Sequence, residues 1–133
     1  MTGTFSCSIE VDAPPATVFD YFIDAELLVS WIGDYALLDA QPGGEFTLDI
    51  EGIPVRGRYL EVVAPKRVVV SWGHAGSETL PPNSTEVQFT LTATTDGGTL
   101  VEVEHRNLPD EQLPSHRAGW PMFMDRLRSR FPT

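Results

Sequence analysis

The strongest constraint on this chain is a long stretch of two-residue alternation, from Tyr35 to His105, that gives way to a single helical pattern. Six segments of that stretch read as strands. Residues 35–40 are closed by Gln41-Pro42-Gly43-Gly44. Residues 45–51 set Phe46, Leu48 and Ile50 on one face. Residues 55–63 follow the tight turn at 52–54, and residues 67–73 set Val68, Val70 and Trp72 on one face. Thr85, Val87, Phe89 and Leu91 mark the next strand. Thr99, Val101, Val103 and His105 mark the last, across the turn Asp96-Gly97-Gly98. Alternation of this kind buries one face of each strand, and short Gly/Pro turns between neighbours make the pairing antiparallel.

The flanks complete the pattern. Residues 4–11 alternate Phe5, Cys7, Ile9 and Val11 with polar positions, so a strand precedes the helices. Asp12 is a candidate cap, with Pro14 and Pro15 tolerated in a first turn, and Val18, Phe19, Phe22 and Ile23 have helical spacing. A second short helix is expected over 25–31, capped by Asp24 and stopped by Gly33. At the other end, Trp120, Phe123, Met124, Leu127 and Phe131 recur at three and four residues, predicting a helix over 115–131. Pro121 lies inside it and predicts a kink, because proline removes a helix hydrogen bond. The expected fold is therefore α+β: a curved antiparallel sheet of six to seven strands, two short helices after the first strand, and a long C-terminal helix. An antiparallel sheet of that size twists and curls. One helix laid across its concave face fills the middle and leaves a cleft at one end, which is where small ligands bind.

Composition narrows the function. The 133 residues suit one domain, 1–133, with a core adequate without staples. The net charge is −10 and Lys66 is the only lysine, which argues against nucleic acid and anionic membranes as partners. Cys7 is the only cysteine, so no internal disulfide forms, and it reads as a small packed residue. The N-terminal residues lack the pattern of a signal peptide, and no stretch has the length of a membrane helix, so a bacterial-type cytoplasm is the expected location. No nucleophile motif and no phosphate-binding glycine loop is present.

The ordered residues resemble the activator of heat-shock-protein ATPase homologue-like branch of the START-like (SRPBCC, helix-grip) superfamily. Those that carry the resemblance run through the whole chain. They are Ile9 to Pro14, Val18-Phe19, Trp31 with Gly33, Pro42-Gly43-Gly44 with Phe46, Gly57, Glu61 to Pro65, and Val68 to Trp72. Thr85-Glu86-Val87, Gly98-Thr99, His105, Leu108, and His116 with Gly119-Trp120 complete the set. The resemblance implies a helix-grip fold and a small-molecule cavity. It implies no single activity, since the wider superfamily includes binders of lipids, hormones or polyketides and some cyclases.

The candidate site residues follow. Trp31, Tyr35, Phe46, Tyr59, Trp72, Trp120, Phe123 and Met124 either line a cavity or fill ordinary core, where each buried aromatic contributes roughly 2–3 kcal/mol. Trp72 and Trp120 are the stronger liners, because a buried indole N–H needs a partner. His105, on the inward face of the last strand, is either a ligand contact and proton carrier or a satisfied structural histidine. Glu61, grouped with Gly57 and Tyr59, would need a partner or a raised pKa if buried. Arg56 and Arg58 share the opposite face, where they either reach a ligand carboxylate or pair with neighbouring acids. His74 is expected at the surface. The spacings of His74, His105 and His116 match no metal motif, so no metal and no other cofactor is expected. The leading expectation is a binder of a small hydrophobic or aromatic molecule, without assigned catalytic residues and capable of forming a homodimer. The alternatives are a cyclase/aromatase-type enzyme using His105, Glu61 and Tyr59, and a co-chaperone-like interaction module.

Overall fold

In the computed structural model, which describes residues 2–132, the seven strands form one sheet of order β1-β7-β6-β5-β4-β3-β2. All neighbours are antiparallel. The strands are β1 (Thr2–Val11), β2 (Tyr35–Leu38), β3 (Glu45–Ile50), β4 (Ile53–Val63), β5 (Arg67–Trp72), β6 (Thr85–Ala93) and β7 (Thr99–Pro109). Helices α1 (Pro15–Phe19) and α2 (Ala25–Leu28) follow β1, joined by a 3-10 turn. Helix α3 (Leu113–Ser129) closes the chain. This is the α+β arrangement that the patterning implied and the helix-grip fold that the resemblance implied.

The periodicities translate directly into burial. On β6 Thr85, Val87, Phe89 and Leu91 face inward; on β7 Thr99, Val101, Val103 and His105 do. They meet Trp120, Met124 and Leu127 of α3, all buried. The helices after β1 supply Val18, Phe19, Phe22 and Leu28 to the same core, joined by Trp31. Asp24 caps α2, its carboxylate accepting from the Leu27 N–H at 3.2 Å. Asp12 does not cap α1: the N-cap position is Pro14, with no side-chain cap hydrogen bond. Both short helices end earlier than their spacing predicted, and the chain turns through Gly33, whose φ of 83° suits glycine. Pro121 lies within α3, and the helix stays helical on both sides of it.

Two irregularities set which side chains face inward. In β4 the register slips between Tyr59, opposite Val70, and Glu61, opposite Val69. A bulge consumes one residue and reverses the faces beyond it. In β7, Asn107 adopts a left-handed conformation (φ 65°), so His105 and Leu108 are both fully buried although three residues apart. The close approach of β4 and β5 needs a glycine at Gly57, where a Cβ would lie 1.8 Å from the Ser71 carbonyl oxygen.

Candidate functional site

The first half of α3 leans over one end of the sheet without filling it. The gap is a cleft of about 380 Å³. Its floor and inner wall are Ile32, Val55, Trp72 and Trp120. The β3–β4 turn contributes Ile50, Glu51 and Ile53, Gln112 comes from just before α3, and α3 contributes Ser115, His116, Gly119, Met122 and Phe123. His74, just past β5, completes the lining. Ile53 and Met122 are 45% and 46% exposed, so both rims are apolar. A groove of similar volume on the outer face of β1, β6 and β7 is lined mainly by Ser6, Ser8, Gln88, Thr90, Glu102 and Glu104, a polar surface without comparable walls.

Behind the cleft, Trp72 and Trp120 form the boundary with the core. Their rings lie 5.4 Å apart, and Trp120 packs on Phe89 at 5.7 Å. The Trp120 indole N–H donates to His105 Nδ1 at 3.1 Å. Because Nδ1 accepts, the proton of a neutral His105 sits on Nε2 and donates to Thr85 Oγ1 at 2.8 Å. Thr85 in turn donates to the Trp72 carbonyl at 2.8 Å. Every polar atom of this buried relay is satisfied. Burial pushes the His105 pKa down to about 2, reinforced by His116 and His74. His105 is therefore a neutral structural histidine that fixes the Trp120 ring, and it does not line the cleft.

The other indoles behave differently. Trp31 Nε1 donates to the Tyr21 carbonyl at 3.1 Å. Trp72 Nε1 is buried and has no partner among the described residues. An unsatisfied buried donor costs about 1–3 kcal/mol; the Trp72 side chain lines the cleft, while this atom is closed off from its open space.

The three histidines, far apart in sequence, converge. His74 and His116 stack with centroids 6.2 Å apart and planes at 16°, and His116 meets His105 edge-on at 5.0 Å. His116 Nδ1–H donates to the Gln112 carbonyl at 2.8 Å. Burial lowers the pKa of both His74 and His116, and the neighbouring His116 lowers that of His74 further. Both rings are neutral near pH 7. No group of three or more histidine, cysteine or acidic side chains is placed to hold a metal among the described residues.

The remaining candidates disperse. Tyr59 is fully buried, its hydroxyl donating to the Phe22 carbonyl at 2.8 Å, and burial raises its pKa. Phe46 and Met124 are core, with Phe46 edge-on to Tyr59. Tyr35 lies on the edge strand β2, 54% exposed and away from the cleft. Glu61, turned outward by the β4 bulge, pairs with Arg67 Nε at 3.0 Å. Arg56 pairs with Asp49 at 2.8 Å. The trio His105, Glu61 and Tyr59 thus shares no cavity. Of the named candidates, Trp72, Trp120 and Phe123 line the cleft. His74, expected at the surface, lines it too. The missed residues Ser115, His116, Gly119 and Met122 form a second stripe on α3, beside the apolar one, continued by Gln112 just before the helix. Their three- and four-residue spacing was the available signal, masked by mixed chemistry.

Fold and cleft together define a helix-grip protein with an apolar recess under its terminal helix. The sequence profile described as activator of Hsp90 ATPase homolog 1-like protein matches residues 12–131, and this chain belongs to that family. Among solved structures it is similar to protein MLL2253 from Mesorhizobium loti, at 21% identity over 96% of this chain and 95% of that one, with a TM-score of 0.84. It is also similar to CalU16 from Micromonospora echinospora, at 28% identity over 93% and 73%, TM-score 0.75. The Aha1 dimer from Colwellia psychrerythraea matches at 20% identity over 97% and 96%, TM-score 0.81. No curated protein matches the chain. No helix of the described residues is long and apolar enough to cross a membrane.

Proposed function

We propose that this protein binds a small, largely apolar molecule in the cleft between α3 and the β3–β5 end of the sheet. The observation that carries this reading is the cleft wall: a recess of about 380 Å³ walled by tryptophan, isoleucine and phenylalanine, with two half-buried histidines set into it. Ligand sites combine apolar walls with a few convergent polar groups, and here those groups are His74, His116, Gln112 and Ser115. A flat molecule stacked beside Trp72, Trp120 and Phe123 would gain aromatic contacts beyond its simple burial.

Native mass spectrometry of protein isolated gently from the organism that makes it, followed by extraction, tests the reading. The expected result is one small molecule in stoichiometric amount, lost when Gly119→Leu fills the cleft. Binding that survives Gly119→Leu unchanged would place the ligand elsewhere. A cyclase-type enzyme on this scaffold would have to draw its proton carriers from His74 and His116, since His105, Glu61 and Tyr59 are committed elsewhere. The Colwellia relative is described as a dimer. For this chain we propose a homodimer through the open edge at β2, which exposes Tyr35 and Leu37. Light scattering showing only monomer would refute that assembly.

A further inference from the structure

We infer that His74 and His116 select a ligand bearing a weakly acidic hydroxyl on an unsaturated carbon, a phenol or an enol. This inference rests on the cleft being the ligand site, and adds to it the chemistry of the ligand's polar end.

The argument is a count of what the lining can offer. The His116 ring is oriented by its Nδ1–H bond to the Gln112 carbonyl, which leaves Nε2 bare as an acceptor. No side-chain hydrogen bond occupies the His74 ring among the described residues. The only fully buried unpartnered side-chain nitrogen or oxygen among them is Trp72 Nε1, so the free imidazole nitrogens reach open space, and both residues line the cleft. Burial keeps both rings neutral, and the stacked pair disfavours a charge on either. A neutral His74 offers one acceptor nitrogen and one N–H, and His116 Nε2 offers a second acceptor, so the pair presents more acceptors than donors and asks its ligand for a donor.

The charges point the same way. The lining contains no lysine or arginine, and it does contain Glu51. A carboxylate or phosphate would enter an apolar recess, meet no fixed cation and face a carboxylate. An alcohol on saturated carbon would offer a weaker donor and no flat face. A hydroxyl on an aromatic or enolic carbon offers both, with its ring beside the Trp72, Trp120 and Phe123 side chains. Sites built to hydrogen-bond a hydroxyl reject the analogue lacking it far more strongly than apolar pockets reject a methylene.

Calorimetric titration with three probes of one shape tests the inference: 2-naphthol, 2-methoxynaphthalene and 2-naphthoic acid at pH 7.5. The expected result is binding of 2-naphthol about tenfold or more tighter than its methyl ether, equivalent to about 1.4 kcal/mol. The acid is expected to bind weakest. In His74→Phe/His116→Phe the naphthol preference should vanish while the ether still binds; His74→Gln/His116→Gln, with amide acceptors, should retain part of it. Equal binding of naphthol and ether by the wild-type protein would overturn the histidine assignment and leave the cleft reading intact. So would a preference for the acid, or a naphthol preference that persists in the phenylalanine variant. Binding of none of the three would overturn both readings. The wild-type comparison needs no variant to fold.

Discussion

Replacing His105 by leucine gives a two-sided test of the buried relay. Leucine is close to histidine in volume, so packing changes little. The substitution strands the Trp120 indole N–H and removes the bond to Thr85, while Thr85 keeps its donation to the Trp72 carbonyl. One stranded buried donor and one lost bond together cost about 2–4 kcal/mol. That is a large share of the roughly 5–15 kcal/mol typical of a domain. The pH dependence then identifies the protonation state. The folded pKa of His105, about 2, lies below its ordinary value of 6.5. Between these values the unfolded chain binds a proton that the native protein does not, so stability falls as pH falls below 6.5. The slope is about 1.4 kcal/mol per pH unit, or about 2 kcal/mol between pH 7.5 and pH 5.0. The leucine variant lacks this contribution. Urea unfolding at the two pH values should therefore show a gap of about 2–4 kcal/mol at pH 7.5 that shrinks by about 2 kcal/mol at pH 5.0. His74 and His116 titrate in both proteins and largely cancel. An equal gap at both pH values would refute a neutral, buried His105.

Three further outcomes follow from the geometry. Gly119 is a helix-interior glycine whose added Cβ would make only ordinary contact, 3.7 Å from Phe123, so Gly119→Ala should stabilise the protein by about 0.5–1 kcal/mol in thermal unfolding. Tyr59→Phe removes the hydroxyl that reaches the Phe22 carbonyl and should cost about 1–2 kcal/mol in urea, without changing cleft binding. Glu61→Gln breaks an exposed pair with Arg67 and should leave both the melting temperature and ligand binding essentially unchanged; a loss of binding would return Glu61 to the site.

The fold was legible because period-two and period-four patterns are burial patterns. Phe89, Val103 and Met124 were readable as inward from spacing alone. Glu61 was misplaced because a bulge at residue 60 leaves no mark on alternation, yet reverses every side chain after it. Tyr35 was misread because sequence does not show that β2 is an edge strand. The cleft was half legible: Trp72, Trp120 and Phe123 carry an apolar signature, whereas His74 and His116 become neighbours only when β5 and α3 pack. The unpartnered state of Trp72 Nε1 is a property of the packing around it, and no residue pattern encodes it.

That indole offers the most direct test of the central claim. The three tryptophans give three indole N–H signals in a proton–nitrogen correlation spectrum. Trp31 is bonded to a carbonyl, Trp120 to His105, and Trp72 to nothing. Titration with 2-naphthol should shift the Trp72 signal most, move Trp120 less, and leave Trp31 in place, with saturation at one molecule per chain. Saturable binding that leaves the Trp72 and Trp120 signals unmoved would show that the cleft under α3 is not where this protein holds its ligand.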